Sequence, residues 1–325
     1  MELLPEFELR TPATIAEAAQ LLAQNPNAVL LAGGTGLIAN LRLGLGAPQM
    51  LVSLERVGEL RGITRSGASL RIGAGVTLAQ IMAEPSVRER FASIAEAAAT
   101  IAAPTHRSAA TVGGNLCLDT RCVFYNQSEA WRRSNGYCLK YRGDTCHVAP
   151  QGKHCHAAYS GDLAPVLLAL GAELEIVSAA GTRRAALATL YQEDGAKHLT
   201  LAHSEILAAV HVPDPASGTR VAYRKARVRG AIDFPLAGVA VALRVERGLV
   251  GALKVAVTGT NSMPLLISGT EALEGGAYDA ALADKLGKLI QKQVQPQRTT
   301  VTASNYRRQV AAALAARLVR ELAAA

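Results

Sequence analysis

No cysteine stands outside Cys117–Cys155, so thiol chemistry is confined to one short stretch of the chain. Aromatic residues are scarce at 4%, which leaves the core to Ala, Leu, Val and Ile. No apolar run reaches the roughly 18–20 residues of a membrane span. Met1 to Arg10 carries Glu2, Glu6 and Glu8 and lacks both a basic and an apolar region, which excludes a signal peptide there. The chain has no Lys/Arg block and no aromatics interleaved with its basic residues. Its net charge of +8 therefore points away from nucleic acid, toward a solvated basic surface, an anionic cofactor or an acidic partner. Together these absences predict a cytoplasmic protein. In that compartment clustered cysteines serve metal or redox chemistry more often than structural disulfides.

What is present reads as a globular chain. Half of its 325 residues are hydrophobic and 18% are charged, enough for two or three domains with sizeable cores. Helical spacing runs from Thr14 to Gln24, with Ile15, Ala18, Ala19 and Leu22 on one face. Short strands are predicted over 28–32, 50–54 and 69–75. Thr77 caps a helix from Leu78, and a long Ala-rich helix over 87–103 is predicted to end at Pro104. A helix over 162–170 and strands over 173–178 and 206–212 follow, the last ended by Pro213. Asp214-Pro215-Ala216-Ser217-Gly218 is the clearest linker. Beyond it come strands over 220–226, 238–245 and 253–258, then helices over 278–293 and 305–322. The last helix carries a stripe of Val310, Leu314, Leu318 and Leu322. The expected organisation is α+β: a lobe over 1–57, a second lobe over 58–215, and a C-terminal α+β domain over 216–325. Both lobes are expected to be α/β.

Three features carry chemistry. Ala32-Gly33-Gly34-Thr35-Gly36-Leu37 follows a strand, where glycines let backbone N–H groups converge on an anion. It is neither the G-x-G-x-x-G fingerprint nor a P-loop, and a plain tight turn is the default reading. Thr111-Val112-Gly113-Gly114-Asn115 is a second such site. Two glycine loops in adjacent lobes fit one elongated phosphate-bearing ligand between them. The third feature is Cys122, Cys138, Cys146 and Cys155, separated by fifteen, seven and eight residues within an aperiodic stretch from about 116 to 160. An irregular stretch of that length calls for an organising centre such as a bound metal. Spacing leaves an iron–sulfur cluster and a zinc site both open, with His147, His154 and His156 as alternative zinc ligands. Close cysteine pairs, usual in zinc sites, are absent.

The runs AVLLAGGTGLIANLRLG, RIGAGVTLAQI, APTHRSAATVGGNLC, GDLAPVLLALGAELEI and YRKARVRGAIDFPLAGVAVAL, with the C-terminal TASNYRRQVAAALAARLV, occur in this order over nearly the whole chain. In that order they resemble the FAD-binding medium subunit of the xanthine dehydrogenase family of molybdenum hydroxylases. The resemblance implies a two-lobed FAD-binding domain. Its FAD would sit on Ala32, Gly33, Gly34, Thr35, Gly36 and Leu37, on Thr111, Gly114 and Asn115, and on Asp162, Leu207 and Lys225. Plainer roles stay open for two of these: Asp162 as a helix cap and Lys225 as a surface cation. The departure from the family pattern is an insertion at about 118–160. It resembles that of the 4-hydroxybenzoyl-CoA reductase branch, where such a segment carries a [4Fe-4S] cluster, and this implies iron–sulfur ligation by Cys122, Cys138, Cys146 and Cys155. Cys117 lies in the part shared with members that lack the insertion and is expected to be a free thiol.

The resemblance further implies a dimer of heterotrimers, with a large molybdenum-cofactor subunit, a small subunit holding two [2Fe-2S] clusters, and no catalytic residue on this chain. The branch resemblance implies inward electron flow, from ferredoxin to the [4Fe-4S] cluster, FAD, the [2Fe-2S] pair and molybdenum, for reductive dehydroxylation of 4-hydroxybenzoyl-CoA. Two rival expectations are an outward-flow hydroxylase of the xanthine, aldehyde or CO dehydrogenase type, and a zinc-stabilised binding protein without redox chemistry. The basic residues Arg121, Arg132, Arg133, Lys140, Arg142 and Lys153 of the cysteine stretch could dock an acidic ferredoxin, offset a cluster's charge or face a sister subunit.

Overall fold

The computed structural model describes residues 3–324; Met1 and Glu2 of the acidic N-terminal stretch, and Ala325, lie outside them. Strands β1 (Glu8–Arg10), β2 (Ala28–Leu31) and β3 (Met50–Ser53) form a parallel sheet in the order β1-β3-β2. The helix Ile15–Gln24 starts where Thr14 and Glu17 cap each other reciprocally, satisfying N–H groups that have no partner inside the helix. Its buried Ala18, Ala19 and Leu22 pack with Ala28, Met50 and Val52 of the sheet and with Ile206. The chain then leaves β2 directly into the first glycine loop.

A second sheet joins β4 (Ile63–Ser66), β5 (Ser69–Gly73), β6 (Glu173–Ser178), β7 (Gly181–Ala186) and β8 (Ile206–Pro213) in the order β4-β5-β8-β6-β7. Its ladders are all antiparallel, unlike the parallel pairing that helix–strand alternation suggests for an α/β lobe. The single helix expected over 87–103 is instead two, Pro85–Arg90 and Ala92–Ala99. Phe91 breaks it: its backbone leaves the helical region at φ −131° and ψ 40° while its ring is buried in the core. Pro104 does not merely end a helix but opens a short one, Pro104–Arg107, because proline suits a first turn whose N–H groups have no partner.

The third sheet, β9 (Thr219–Ala226), β10 (Ala237–Glu246), β11 (Leu249–Thr258) and β12 (Leu265–Leu266), runs antiparallel in the order β12-β11-β10-β9. One face packs under the helices Ala280–Gln293 and Ser304–Ala324. The deep stripe of the last helix runs through Ala311, Ala315, Leu318 and Leu322, with Val310 and Leu314 at its margin. The small alanines let the helix approach the sheet, which the leucine pattern alone did not indicate. The other face of this sheet gives Tyr223, Ala240, Ala242 and Ala256 to the core of the second sheet. Between the two lies the helix Leu163–Ala169, buried at every position, as befits a helix apolar all round. The expected linker at 214–218 is tied down by a bidentate ion pair, with Arg65 2.7 Å from both oxygens of Asp214.

Candidate functional site

The two glycine loops meet. A Cβ built on Gly33 would fall 1.9 Å from the carbonyl oxygen of Ala109, so only glycine allows the first loop to lie against the backbone leading into the second. Gly34 follows at φ +71°, a left-handed conformation that glycine adopts without strain. Among the described residues, the N–H groups of Gly33, Gly34, Thr35 and Gly36 donate to no backbone acceptor, which leaves a set of donors suited to an anion. In the second loop Thr111 caps the short helix Val112–Leu116, its Oγ1 accepting from the Gly114 N–H at 3.1 Å. Val112 and Gly113 donate to Val76 and Ala74, so this loop is pinned to the end of β5. The paired loops fit a diphosphate-bearing cofactor such as FAD.

The polar residues expected at the cofactor gather behind the second loop. Asn115 Oδ1 accepts from the N–H of Leu163 at 3.1 Å, joining the loop to the helix that Asp162 precedes. Asp162 does not cap that helix through its side chain. It accepts from Lys225 Nζ at 3.0 Å and from the Tyr223 hydroxyl at 2.6 Å. Lys225 is likewise no surface cation: its side chain is 2% exposed. Burial pushes the Asp162 carboxyl up, opposed by the Lys225 ammonium and the Tyr223 hydroxyl. Tyr223 was missed from sequence, yet strand alternation places it on the same face of β9 as Lys225, two residues on. Leu207 stands apart from this polar set, its side chain buried in the core of the second sheet.

Cys122, Cys138, Cys146 and Cys155 line one cavity, together with Phe124, Tyr125, Leu139, Lys140, His147, Val148 and Ala157. All four are buried and none is in a disulfide. Local turns set their positions. The Cys122 N–H donates to Asn126 Oδ1 at 3.1 Å, and the Cys138 carbonyl accepts from Tyr141 and Gly143. The Ala157 N–H donates to Cys155 Sγ at 3.3 Å. Burial pushes the Cys155 thiol up to about 12, and Cys122 is raised by burial and then by the nearby Cys138 and Cys146. Yet among the described residues no three His, Cys, Asp or Glu side chains converge closely enough to hold a single ion. Zinc needs four ligands at about 2.0–2.3 Å from one point, whereas a polynuclear cluster needs thiolates spread around a cavity. Four buried thiols around one cavity are a donor set that a polynuclear cluster or a zinc ion could take. His147 is on the cavity wall with its Nε2 bonded to the Tyr137 carbonyl, whereas His154 and His156, tilted against each other at 4.4 Å between ring centroids, are not among its lining residues. Cys117 is off this cavity wall, and burial raises its thiol to about 12.

A polar chain that sequence reasoning missed joins the two regions. Lys140 donates to Asp119 Oδ1 at 2.6 Å, and Asp119 Oδ2 accepts from Asn40 Nδ2 at 3.4 Å. Asn40 belongs to the helix Leu37–Leu41, which begins at the end of the first glycine loop. Only a contact across 79 residues reveals this link, so no local signal carried it.

A profile described as the FAD binding domain in molybdopterin dehydrogenase matches residues 5–215, and one described as the CO dehydrogenase flavoprotein C-terminal domain matches residues 221–322. The chain is 32% identical over 246 residues to a xanthine dehydrogenase FAD-binding subunit of Escherichia coli, covering 75% of this chain and 70% of that one. It is 31% identical over 288 residues to an aldehyde oxidoreductase FAD-binding subunit of the same species, covering 85% and 88%. A solved Cu,Mo-CO dehydrogenase in its cyanide-inactivated form superposes with a TM-score of 0.82 at 26% identity, covering 99% of both chains. Both glycine loops fall within the stretch matched by the FAD-binding profile, and the chain belongs to the medium FAD-binding subunits of the molybdenum hydroxylase family.

Proposed function

We propose that this chain relays electrons in a molybdenum hydroxylase complex, holding FAD between its glycine loops and a [4Fe-4S] cluster on Cys122, Cys138, Cys146 and Cys155. The observation that carries the reading is the single cavity lined by all four cysteines in a chain of a flavin-binding family. Bound FAD and the cluster would supply electron exchange. The chain's own residues do the rest. Gly33 and Gly34 give the loop its close approach, Thr111 and Asn115 fix the second loop, and Asp162 with Lys225 holds a buried charge pair behind it. The molybdenum site belongs to another subunit. The proposed partners are a large subunit with the molybdenum cofactor and a small one with two [2Fe-2S] clusters, in keeping with the name of a relative, the medium chain of a carbon monoxide dehydrogenase.

The relatives' names support an outward direction. Two relatives are named dehydrogenases, of xanthine and of carbon monoxide, and a third an aldehyde oxidoreductase, which favours electrons leaving outward through this chain. Aldehydes are the first substrate class to assay, because that relative is matched over most of both chains. A second reading, reductive dehydroxylation of 4-hydroxybenzoyl-CoA with ferredoxin as donor, is favoured by the four-cysteine cavity and by exposed Arg133, Arg142 and Lys153 in the same segment, an attractive surface for an acidic donor.

Iron, acid-labile sulfide, zinc and flavin per chain, measured on anaerobically purified complex and on Cys138→Ser, test the cofactor reading. The expected result is about four irons, four sulfides and one FAD, with iron lost and flavin kept in the variant. One zinc and no iron overturns it. Steady-state assays then separate the directions: aldehyde, xanthine or CO oxidation with an artificial acceptor, against 4-hydroxybenzoyl-CoA reduction with a low-potential dye.

A further inference from the structure

Lys140 lies two residues after Cys138 and lines the same cavity as the four cysteines. Its side chain is only 5% exposed. The ammonium is held from several directions. Nζ lies 2.6 Å from Asp119 Oδ1 and 3.1 Å from both the Thr120 and Gly195 carbonyls, it bonds Thr120 Oγ1, and it sits 4.5 Å from the Tyr125 ring centroid. Such a cage holds a cation in place and keeps it dry. The counter-charge is placed differently: the Asp119 side chain is 36% exposed, so water screens it while the ammonium stays buried.

We propose that Lys140 fixes a positive charge in the wall of the four-cysteine cavity and thereby raises the reduction potential of the cluster bound there. The inference rests on the cluster reading above. Adding an electron to a cluster adds negative charge, and a fixed cation beside it favours the reduced form; charge is one of the means by which proteins set these potentials. A raised potential suits electrons arriving from substrate oxidation better than intake from a strongly reducing donor, so the inference also bears on direction.

The test is an EPR-monitored redox titration of the purified complex, with the cluster signal defined as the one absent in Cys138→Ser and iron content measured in parallel. In Lys140→Met with iron retained, the ratio of reduced to oxidised cluster at fixed potential is expected to fall at least about tenfold, a downward shift of about 59 mV for a one-electron couple. Lys140→Arg, which keeps the charge, is expected to restore the ratio to within about threefold of wild type. An unchanged ratio in Lys140→Met overturns the inference and leaves the cluster reading standing. If Lys140→Met cannot hold iron, Lys140→Gln decides: it keeps a hydrogen-bonding side chain in the cage and removes the charge, so the ratio must fall, and an unmoved or raised ratio overturns the proposal. Wild-type complex without iron overturns the cluster reading and the inference with it.

Discussion

Gly33 and Lys225 are the residues whose replacement tests the proposed flavin cleft most directly. Alanine at Gly33 places a methyl 1.9 Å from the Ala109 carbonyl, a backbone atom that cannot swing aside. Gly33→Ala is therefore expected to lose most of its FAD while the third sheet stays folded; flavin absorbance per chain with far-UV circular dichroism checks this, and full flavin occupancy would sink it. Lys225→Met leaves the Asp162 carboxylate buried and without its cation. Breaking such a pair costs about 3–5 kcal/mol, and removing both partners costs less than removing one. Thermal unfolding should rank Lys225→Met below the Lys225→Met/Asp162→Asn double variant; the reverse order would show that the pair does not act as one. The sequence resemblance pointed to both residues but not to their bond, because Asp162 and Lys225 are 63 positions apart and no local pattern encodes that contact.

Among the elements, the second sheet carries a network of polar side chains across three strands. Arg71 of β5 and His211 of β8 both meet Glu175 of β6, at 3.0 and 2.9 Å. The Arg71 hydrogen bond first, and His211 after it, hold the Glu175 carboxyl down to about 2 from 4.5. The folded state thus binds this proton more weakly than the unfolded chain does. The Glu175 contribution is full above about pH 4.5 and is lost as pH falls toward 2. With Glu175 partly exposed, it amounts to about 1–2 kcal/mol. Glu175→Gln should be less stable than wild type at pH 6, and the gap in urea midpoint should close between pH 4.5 and 2; a gap constant with pH would show that the pairing contributes nothing. The same sheet shows where periodicity failed. β4 and β7, unread from sequence, are its two edges, and both are largely exposed. An edge strand with polar residues on both faces has no alternation to read, and its charges guard against pairing with another chain. Buried β3 and β8, by contrast, were legible as short apolar runs. Helix starts were legible wherever a capping box marked them, at Thr14 and Thr77.

At the scale of the whole molecule, the cysteine segment is a keystone whose own interior is thin. It reaches all three parts of the chain: Arg132 donates to the Leu43 carbonyl at 2.8 Å, Gly195 to Cys155 at 2.7 Å, Ser262 Oγ to Cys155 at 3.2 Å, and Val123 to Thr299 at 2.9 Å. Among the described residues, the buried members of its apolar cluster are Leu45, Cys122, Tyr125, Cys155 and Ala157, and two of these are the proposed ligands themselves. So little apolar burial cannot offset the entropy of ordering some forty residues, at about 1–2 kcal/mol for each backbone. The proposed metal centre, closing four distant positions, would make up the difference, as in small domains whose binding energy is folding energy. Removing the iron, by chelation or by Cys138→Ser, should then raise amide exchange at least about tenfold across 122–155 and at the Thr299 and Gly195 contacts, while β10 and β11, paired along their whole length, keep their protection. If the segment stays protected without iron, its hydrogen bonds to loops in the three parts of the chain suffice to order it and the proposed metal centre is a passenger on a preformed loop. If β10 and β11 open with it, the segment and the C-terminal sheet unfold as one unit, and the Val123 and Ser262 contacts are part of the cooperative core.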